Sequence, residues 1–432
     1  MIGLVDIHNC YCSFEQLMRP SLRGKALVVL GSNDGCVVAR SEETKRLGVK
    51  MGMPWFKVRA ELPDAEIFPL SANFELYGEL SNRVMAIVDG FGYEVHRYSV
   101  DEAFAKLGGI RGDLTARAHR IRDLIEQWVG VQVGIGIGET HTLAKLANHV
   151  AKSAERKKGS YPPELATICN LADLRADVRD QVMAATDLAD VWGIGRRLSE
   201  QLRAVGLQTA LDVARMDPTM ARSRWGLTME KTVRELQGVS CIELDSVPSP
   251  RKEIACTRSF GRPVAALAPL AEAITEFTSR AAVKMRGQQQ VAAWVMVFIR
   301  TSPFRRNDEQ HAGSISVPLR RPTADTAHLV QAALAGLQAI YKPGYNYAKA
   351  GIHLLELQPA DLVQLEMELD TDCTGRPGLM HAMDAINTRF GRGAIGLASA
   401  GTAVKTREWA IRQEMRTPRY TTRLDEIPVA LA

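Results

Sequence analysis

The sequence predicts a multi-domain α+β protein. Three observations carry this. A short apolar run, Ile2-Gly3-Leu4-Val5-Asp6, ends on a carboxylate and opens a region where strands and helices alternate. Residues 167–238 read as all-helical around a Gly-x-Gly turn, and residues 253–355 return to strand–helix–strand patterns. A chain of 432 residues has room for about three domains.

The elements follow in order. After the first strand, Leu27-Val28-Val29-Leu30 and Cys36-Val37-Val38-Ala39 read as a hairpin, with Ser32-Asn33-Asp34-Gly35 as its turn. A short helix comes next: Ser41 is its N-cap, Glu42 and Glu43 fill its first turn, and Gly48 ends it. Residues 74–89 place Phe74, Tyr77, Leu80, Val84 and Val88 at helical spacing. A second hairpin spans residues 93–107 and encloses Asp101-Glu102. Residues 114–128 form an amphipathic helix, and Val131, Val133, Ile135 and Ile137 alternate with glycines as a strand. Residues 239–252, with Pro248 and Pro250, read as a linker. Beyond it, residues 295–299 form a buried strand and residues 329–340 a helix, and the last 75 or so residues are less regular.

Composition narrows the class. With 46% hydrophobic and 24% charged residues the chain reads as soluble and globular. No apolar run approaches the roughly 18 residues of a membrane span, and Met1 to Asp6 lacks the basic leader of a signal peptide. Seven scattered cysteines without a CxxC pair argue against a disulfide framework and a structural zinc, so a reducing, cytoplasmic setting is expected. Residues 251–350 hold 14 Lys plus Arg against 6 Asp plus Glu, a local excess above the net +5 of the whole chain. That asymmetry fits a basic face on one module, and a solvated surface is the competing reading.

The carboxylates carry the chemistry. Phosphoryl transfer by two metals needs acids that hold divalent cations about 3.5–4 Å apart. Oxygen ligands suit magnesium, and the edge of a sheet holds them rigidly. Asp6 ends one strand, and Tyr98-Ser99-Val100-Asp101-Glu102-Ala103-Phe104 sets two more acids in an apolar hairpin. The glycines at 134, 136 and 138 are not a phosphate loop, because no Gly-Lys-Ser/Thr follows. They read as a strand face that lets backbone pack closely.

That hairpin resembles the catalytic hairpin of Y-family DNA polymerases, and Asp6-Ile7-His8-Asn9-Cys10-Tyr11 resembles their first motif. The likeness continues through Asn33 to Arg40, Leu47 to Gly52, Thr142 to His149 and Val191 to Arg197. It goes on through Ser259-Phe260-Gly261, Thr301 to Phe304 and Pro418 to Arg423, so it spans nearly the whole chain. Within the family the UmuC-type branch is the most similar. The resemblance implies a right-hand polymerase: palm at 1–10 and 77–166, fingers at 11–76, and a helical thumb with a helix-hairpin-helix at 167–238. A linker at 239–252, an α/β little finger at 253–355 and a C-terminal accessory-protein-binding tail at 356–432 complete it.

The resemblance also assigns residues. Asp6, Asp101 and Glu102, with the Ile7 carbonyl, would hold two Mg2+ ions. Tyr11 would be the steric gate against ribonucleotides. Lys45 and Lys152, the latter following a helix at 142–150, would reach the triphosphate, with Arg40 near the nucleotide. Gly193, Gly195 and Arg196 would meet DNA phosphate at a helix N-terminus. Arg251, Lys252, Arg258, Arg300, Arg305 and Arg306 are the further candidate DNA contacts. The implied activity is error-prone translesion synthesis from dNTPs on primer-template DNA in the SOS response, with a UmuD-derived accessory dimer and a RecA filament as partners and no membrane. The competing readings are a non-catalytic DNA-binding regulator and another two-metal enzyme such as a nucleotidyl cyclase.

The sequence departs from the family at three places. His8 and Cys10 stand where Asn or Asp and Phe are usual, and His141 stands where the branch carries Lys. At the clamp-binding peptide the chain has Gln364-Leu365-Glu366-Met367-Glu368-Leu369. It lacks the aromatic anchor and gains acids, which argues against the sliding clamp as a partner there and leaves a polar linker open.

Overall fold

In the computed structural model the chain divides into two compact units, residues 1–31, 36–247 and 415–432, and residues 32–35 and 248–414. The structure describes residues 1–244, 250–305, 307–362, 376–401 and 407–427. Arg306 and the peptide 364–369 lie outside the described residues.

The first unit contains β1 (Ile2–Ile7), β2 (Ala26–Leu30), β3 (Val37–Arg40), β4 (Ile67–Ser71), β5 (Glu94–Arg97), β6 (Glu102–Lys106), β7 (Val133–Gly138) and β8 (Ile168–Asn170). Its main sheet runs β5-β6-β1-β7-β8, and a smaller one runs β3-β2-β4. The helices up to the last of those strands are α1 (Cys10–Met18), α2 (Glu42–Arg46), α3 (Trp55–Glu61), α4 (Phe74–Val88), α5 (Leu114–Trp128) and α6 (His141–Arg156).

All six residues of β1 are buried, because both faces of the sheet are covered. Alternation assigns the faces. Val5 and Ile7 share a core with Val84 and Val88 of α4 and Ile121 and Ile125 of α5. Ile2, Leu4 and Phe104 pack instead with Ala144 of α6. β1 is antiparallel to β6 and to β7, with Leu4 opposite Gly136 and Asp6 opposite Gly134. The glycines therefore line the α6 side. A Cβ on Gly136 would stand 2.2 Å from the Asn148 amide nitrogen. The strand face is bare so that helix backbone can lie directly on it.

Three expectations need correction. Residues 167–238 are not wholly helical: Ile168–Asn170 is buried and forms β8 parallel to β7. The helix expected at 142–150 runs to Arg156, which puts Lys152 on it. β4, interrupted by Pro69, pairs in parallel with β2 and was not anticipated. After β8 the unit is helical: α7 (Ala176–Ala185), α8 (Arg196–Ala204), α9 (Ala210–Ala214), α10 (Pro218–Trp225) and α11 (Leu227–Leu236). Buried Glu235 ties α11 to α6. Its carboxylate accepts from the Thr142 amide at 3.0 Å, and its carbonyl accepts from the Thr140 hydroxyl at 2.9 Å.

The second unit holds an antiparallel sheet in the order β11-β10-β12-β9: β9 (Ile254–Val264), β10 (Gln290–Thr301), β11 (Ala312–Thr323) and β12 (Tyr347–Pro359). α12 (Leu267–Arg286) and α13 (Thr326–Ile340) bury one face. The strand at 295–299 is buried on that face only, through Val295, Val297 and Ile299, while Met296 and Phe298 are half-exposed. The region expected to be irregular contributes α14 (Pro377–Phe390), fastened by Arg286 to Asp384 at 2.7 Å. Trp409 enters this unit's core and meets Phe277 edge-on at 5.5 Å. Among the described residues no helix is long and apolar enough to cross a membrane.

Candidate active site

The acids meet at one end of the main sheet. Asp6 pairs across the strands with Glu102, and the Ile7 amide donates to the Asp101 carbonyl at 2.9 Å. Cross-strand neighbours lie about 5 Å apart at Cβ, so the ends of two interior strands present Asp6, Asp101 and Glu102 with the Ile7 backbone between them. Ser99 shapes the turn. Its hydroxyl donates to the Asp101 carboxylate at 2.5 Å and accepts from the Glu102 amide at 3.0 Å.

Alternation turns Asp6 and Glu102 toward α6, and two lysines of that helix meet them. Lys152 Nζ lies 2.8 Å from Asp6 Oδ2, and Lys145 Nζ lies 2.8 Å from Glu102 Oε2. Lys145 is seven residues before Lys152, two helical turns along the same face. Sequence reading singled out Lys152 and missed Lys145, although that spacing held the signal. Lys145 also lies over the rings of Tyr98, Trp192 and Phe104, at 4.6, 5.3 and 5.9 Å from their centroids. That aromatic wall holds its charge in place.

Asp6 is 6% exposed. Burial pushes its carboxyl up to about 7, although Lys152 pulls the other way, and a hydrogen bond with Glu102 adds to the rise. Burial acts upward on Glu102 too, but the bond from Asp6 and the Lys145 ammonium hold it below the usual carboxylate range. Burial thus works against negative charge on both acids, and one lysine stands against each. Among the described residues no three His, Cys, Asp or Glu side chains converge as a finished metal cage. Asp101 is turned to Ser99, and the lysine nitrogens occupy the cation positions on Asp6 and Glu102. An all-oxygen donor set fits hard divalent cations.

Tyr11 follows on α1, which starts after Asn9 in the left-handed conformation (φ 48°). Its ring stacks on Tyr77, centroids 4.6 Å apart and planes 15° off parallel, and meets Phe74 edge-on at 5.8 Å. Lys45 stands on α2 and donates to Asn9 Oδ1 at 2.5 Å and to Glu42 at 3.3 Å. Burial, then nearby Arg156, lowers its pKa. Arg40 ends β3 and gives a guanidinium hydrogen to the Val49 carbonyl at 2.6 Å. His8 is buried against Gly134, with Nδ1 3.5 Å from Glu155. Burial first, then Arg156 and Lys152, pushes it down to about 3 despite Glu155, so it is neutral. Cys10 is buried, and its thiol is pushed above its ordinary range by burial.

Farther along the unit, Gly193 has φ 95° and Gly195 stands at the N-cap of α8. Arg196 is exposed and pairs with Glu200 at 3.0 Å.

The basic candidates of the second unit separate. Arg300 lies opposite Lys349 on the sheet face not covered by helices. Arg258 lies opposite buried Ala350, so it faces the helix side, where burial and Arg280 lower its pKa. Arg251 and Lys252 are exposed before β9, and Arg305 pairs with Asp308 at 3.9 Å.

A family model described as the impB/mucB/samB family matches residues 5–149, and the C-terminal domain of that family matches residues 251–367. A domain of unknown function matches residues 377–430. Protein UmuC of Salmonella typhimurium is 37% identical over 99% of this chain and 99% of its own. Protein MucB of Escherichia coli is 37% identical over 100% of this chain and 99% of its own. A solved Y-family DNA polymerase chimera, Dbh-Dpo4-Dbh, aligns with TM-score 0.58 and 19% identity over 83% of this chain and all of that one, which shows the shared fold. With relatives this similar over its full length, the chain belongs to the impB/mucB/samB family, the UmuC type of Y-family DNA polymerase.

Proposed function

We propose that this chain extends a primer 3′ hydroxyl with dNTPs opposite damaged template, in the SOS response to DNA damage. The observation that carries the reading is the juxtaposition at the ends of two interior strands: Asp6, Asp101 and Glu102, two lysines of one helix aimed at them, and Tyr11 in the first turn of the helix that follows β1. Asp6, Asp101, Glu102 and the Ile7 carbonyl would hold two Mg2+ ions. Those ions would supply a lowered pKa at the primer hydroxyl and charge neutralisation at the leaving pyrophosphate.

This chain's own residues do the rest. Lys152 and Lys45 hold triphosphate oxygens, where a fixed cation screens developing charge. Lys145 steadies Glu102. Tyr11 closes the pocket beneath the sugar, and Arg40 lies on the fingers side. Residues 1–10 and 77–166 serve as palm, 11–76 as fingers, 167–238 as thumb, 253–355 as little finger and 356–432 as tail. The backbone amides at the turn of Gly193 and Gly195 and the pair Arg300 and Lys349, on the sheet face away from the helices, take DNA phosphates. Two cations directly opposite in a sheet repel, and a bound phosphate would relieve that. A UmuD-type accessory dimer and a RecA filament are the proposed activating partners.

The test is extension of a labelled primer opposite an abasic site with magnesium, accessory dimer and RecA filament. Wild type extends and Asp101→Ala does not. Wild-type binding without extension would instead favour a regulator, and extension by Asp101→Ala would sink the metal assignment.

A further inference from the structure

Residues 415–427 lie as a strap on the first unit. Arg416 bridges Ser71 in parallel, and the Met415 amide donates to the Ser71 hydroxyl at 3.0 Å. Asn73, the residue before α4, makes no side-chain cap to its helix. Its amide instead donates to the Thr417 carbonyl and hydroxyl, both at 3.1 Å, and to the Pro418 carbonyl at 3.0 Å. Arg419 pairs with Glu75 at 2.6 Å and Thr421 donates to Glu79 at 2.7 Å. Tyr420 is buried in the same apolar core as Tyr77. The strap therefore grips the first turns of α4, and those turns carry Phe74 and Tyr77, the two rings against Tyr11.

A second link runs behind the gate. Tyr77 is fully buried, and its hydroxyl donates to Glu15 Oε1 at 2.6 Å. The Thr417 hydroxyl donates to the same oxygen at 3.1 Å. Glu15 is buried on α1, one turn after Tyr11; burial raises its pKa, and the Arg19 charge works the other way without forming an ion pair with it among the described residues. Its other oxygen has no hydrogen-bond partner. A buried carboxylate held by only two hydroxyls depends on both of them.

We propose that the C-terminal strap, acting through Thr417, Glu15 and Tyr77, positions the Tyr11 ring and so helps to set the choice between deoxyribose and ribose. The inference rests on the reading of Tyr11 as the steric gate. A gate rejects one hydroxyl only if its ring cannot retreat. The Tyr11 ring has Tyr77 beneath it, and Tyr77 cannot slide while its hydroxyl is tied to Glu15. Without the Thr417 hydroxyl, Glu15 has a single donor left, and its rearrangement frees Tyr77 and the ring above. Thr417, Glu15 and Tyr77 are positioning residues in this scheme.

The experiment measures kcat and KM for a dNTP and the matching rNTP, using the full chain with accessory dimer, RecA filament and magnesium. In Thr417→Val and Tyr77→Phe the dNTP-over-rNTP ratio of kcat/KM falls about five- to tenfold, one hydrogen bond's worth. The change lies mainly in a lower KM for the rNTP, with kcat for the dNTP held within about twofold. Thr417→Ser restores the ratio. If Thr417→Val fails to fold by thermal melting, Tyr77→Phe, which keeps the ring, decides alone. An unchanged ratio, or parallel losses for both sugars, overturns the strap's role if Tyr11→Ala still loses discrimination. Discrimination that survives Tyr11→Ala overturns the gate reading itself.

Discussion

Gly136→Ala places a single methyl group between β7 and α6. The added Cβ would stand 2.2 Å from the Asn148 nitrogen, 2.3 Å from the Ala144 carbonyl oxygen and 2.8 Å from the Asn148 Cα. All three are helix backbone, so no side chain can rotate away. Ordinary contact begins at 3.4 Å, so the helix must retreat by about 1 Å or the strand must buckle. The same helix holds Lys145 and Lys152, each 2.8 Å from its acid. The expected cost is about 1–3 kcal/mol of stability or somewhat more. Misplacement on that scale at a reacting centre lowers the rate roughly 100-fold. Denaturant melts and single-turnover incorporation on undamaged primer-template measure both. Gly78→Ala is the control: it lies within α4 and an added Cβ there meets nothing within 4 Å. It should gain about 0.5–1 kcal/mol. A Gly136→Ala protein with native midpoint and native rate would refute the close-packing argument.

Other consequences are as specific. Lys145→Met keeps the stem among its rings but leaves Glu102 without its cation, so incorporation should slow about tenfold or more, and a native rate would show that Lys145 is only a packing residue. His8 is held near 3 against an ordinary 6.5, so the unfolded chain binds a proton that the folded one does not, and stability falls as pH drops through that window. Between pH 6.5 and 5 wild type should lose about 1.6 kcal/mol more than His8→Asn in denaturant melts; identical losses would sink this assignment. Replacing both Arg300 and Lys349 with Ala should lower the slope of log affinity against log salt by about 2, and an unchanged slope would remove that face from the DNA path.

What was legible in the sequence was local. The run ending at Asp6, the hairpin around Asp101-Glu102, the capped helix after Ser41 and the amphipathic helix Leu114–Trp128 each carry their signal within a few residues. What was missed depends on distant partners. β4 contains Pro69, a poor strand signal, and forms by pairing with β2 about forty residues earlier. α6 continues past Val150 through Ala-Lys-Ser-Ala-Glu-Arg, where the apolar spacing is too thin to mark a helix. Arg258 looked like Arg300 in composition, but pairing opposite Ala350 puts it on the covered face. The strap joins Asn73 to Thr417 across 344 positions, a separation no local pattern encodes. The acids themselves were weak as spacing alone; the register of β1 against β6 and the two lysines of α6 bring them together as a candidate site.

As proposed above, Asp6, Asp101 and Glu102 hold two divalent cations around a primer terminus. The most direct test titrates Mn2+ into the full chain with primer-template and a non-hydrolysable triphosphate, counting bound ions by electron paramagnetic resonance. Wild type should bind two, and Asp6→Asn and Asp101→Asn should each bind fewer, or bind the second far more weakly. Wild-type stoichiometry and affinity in both variants would contradict the account.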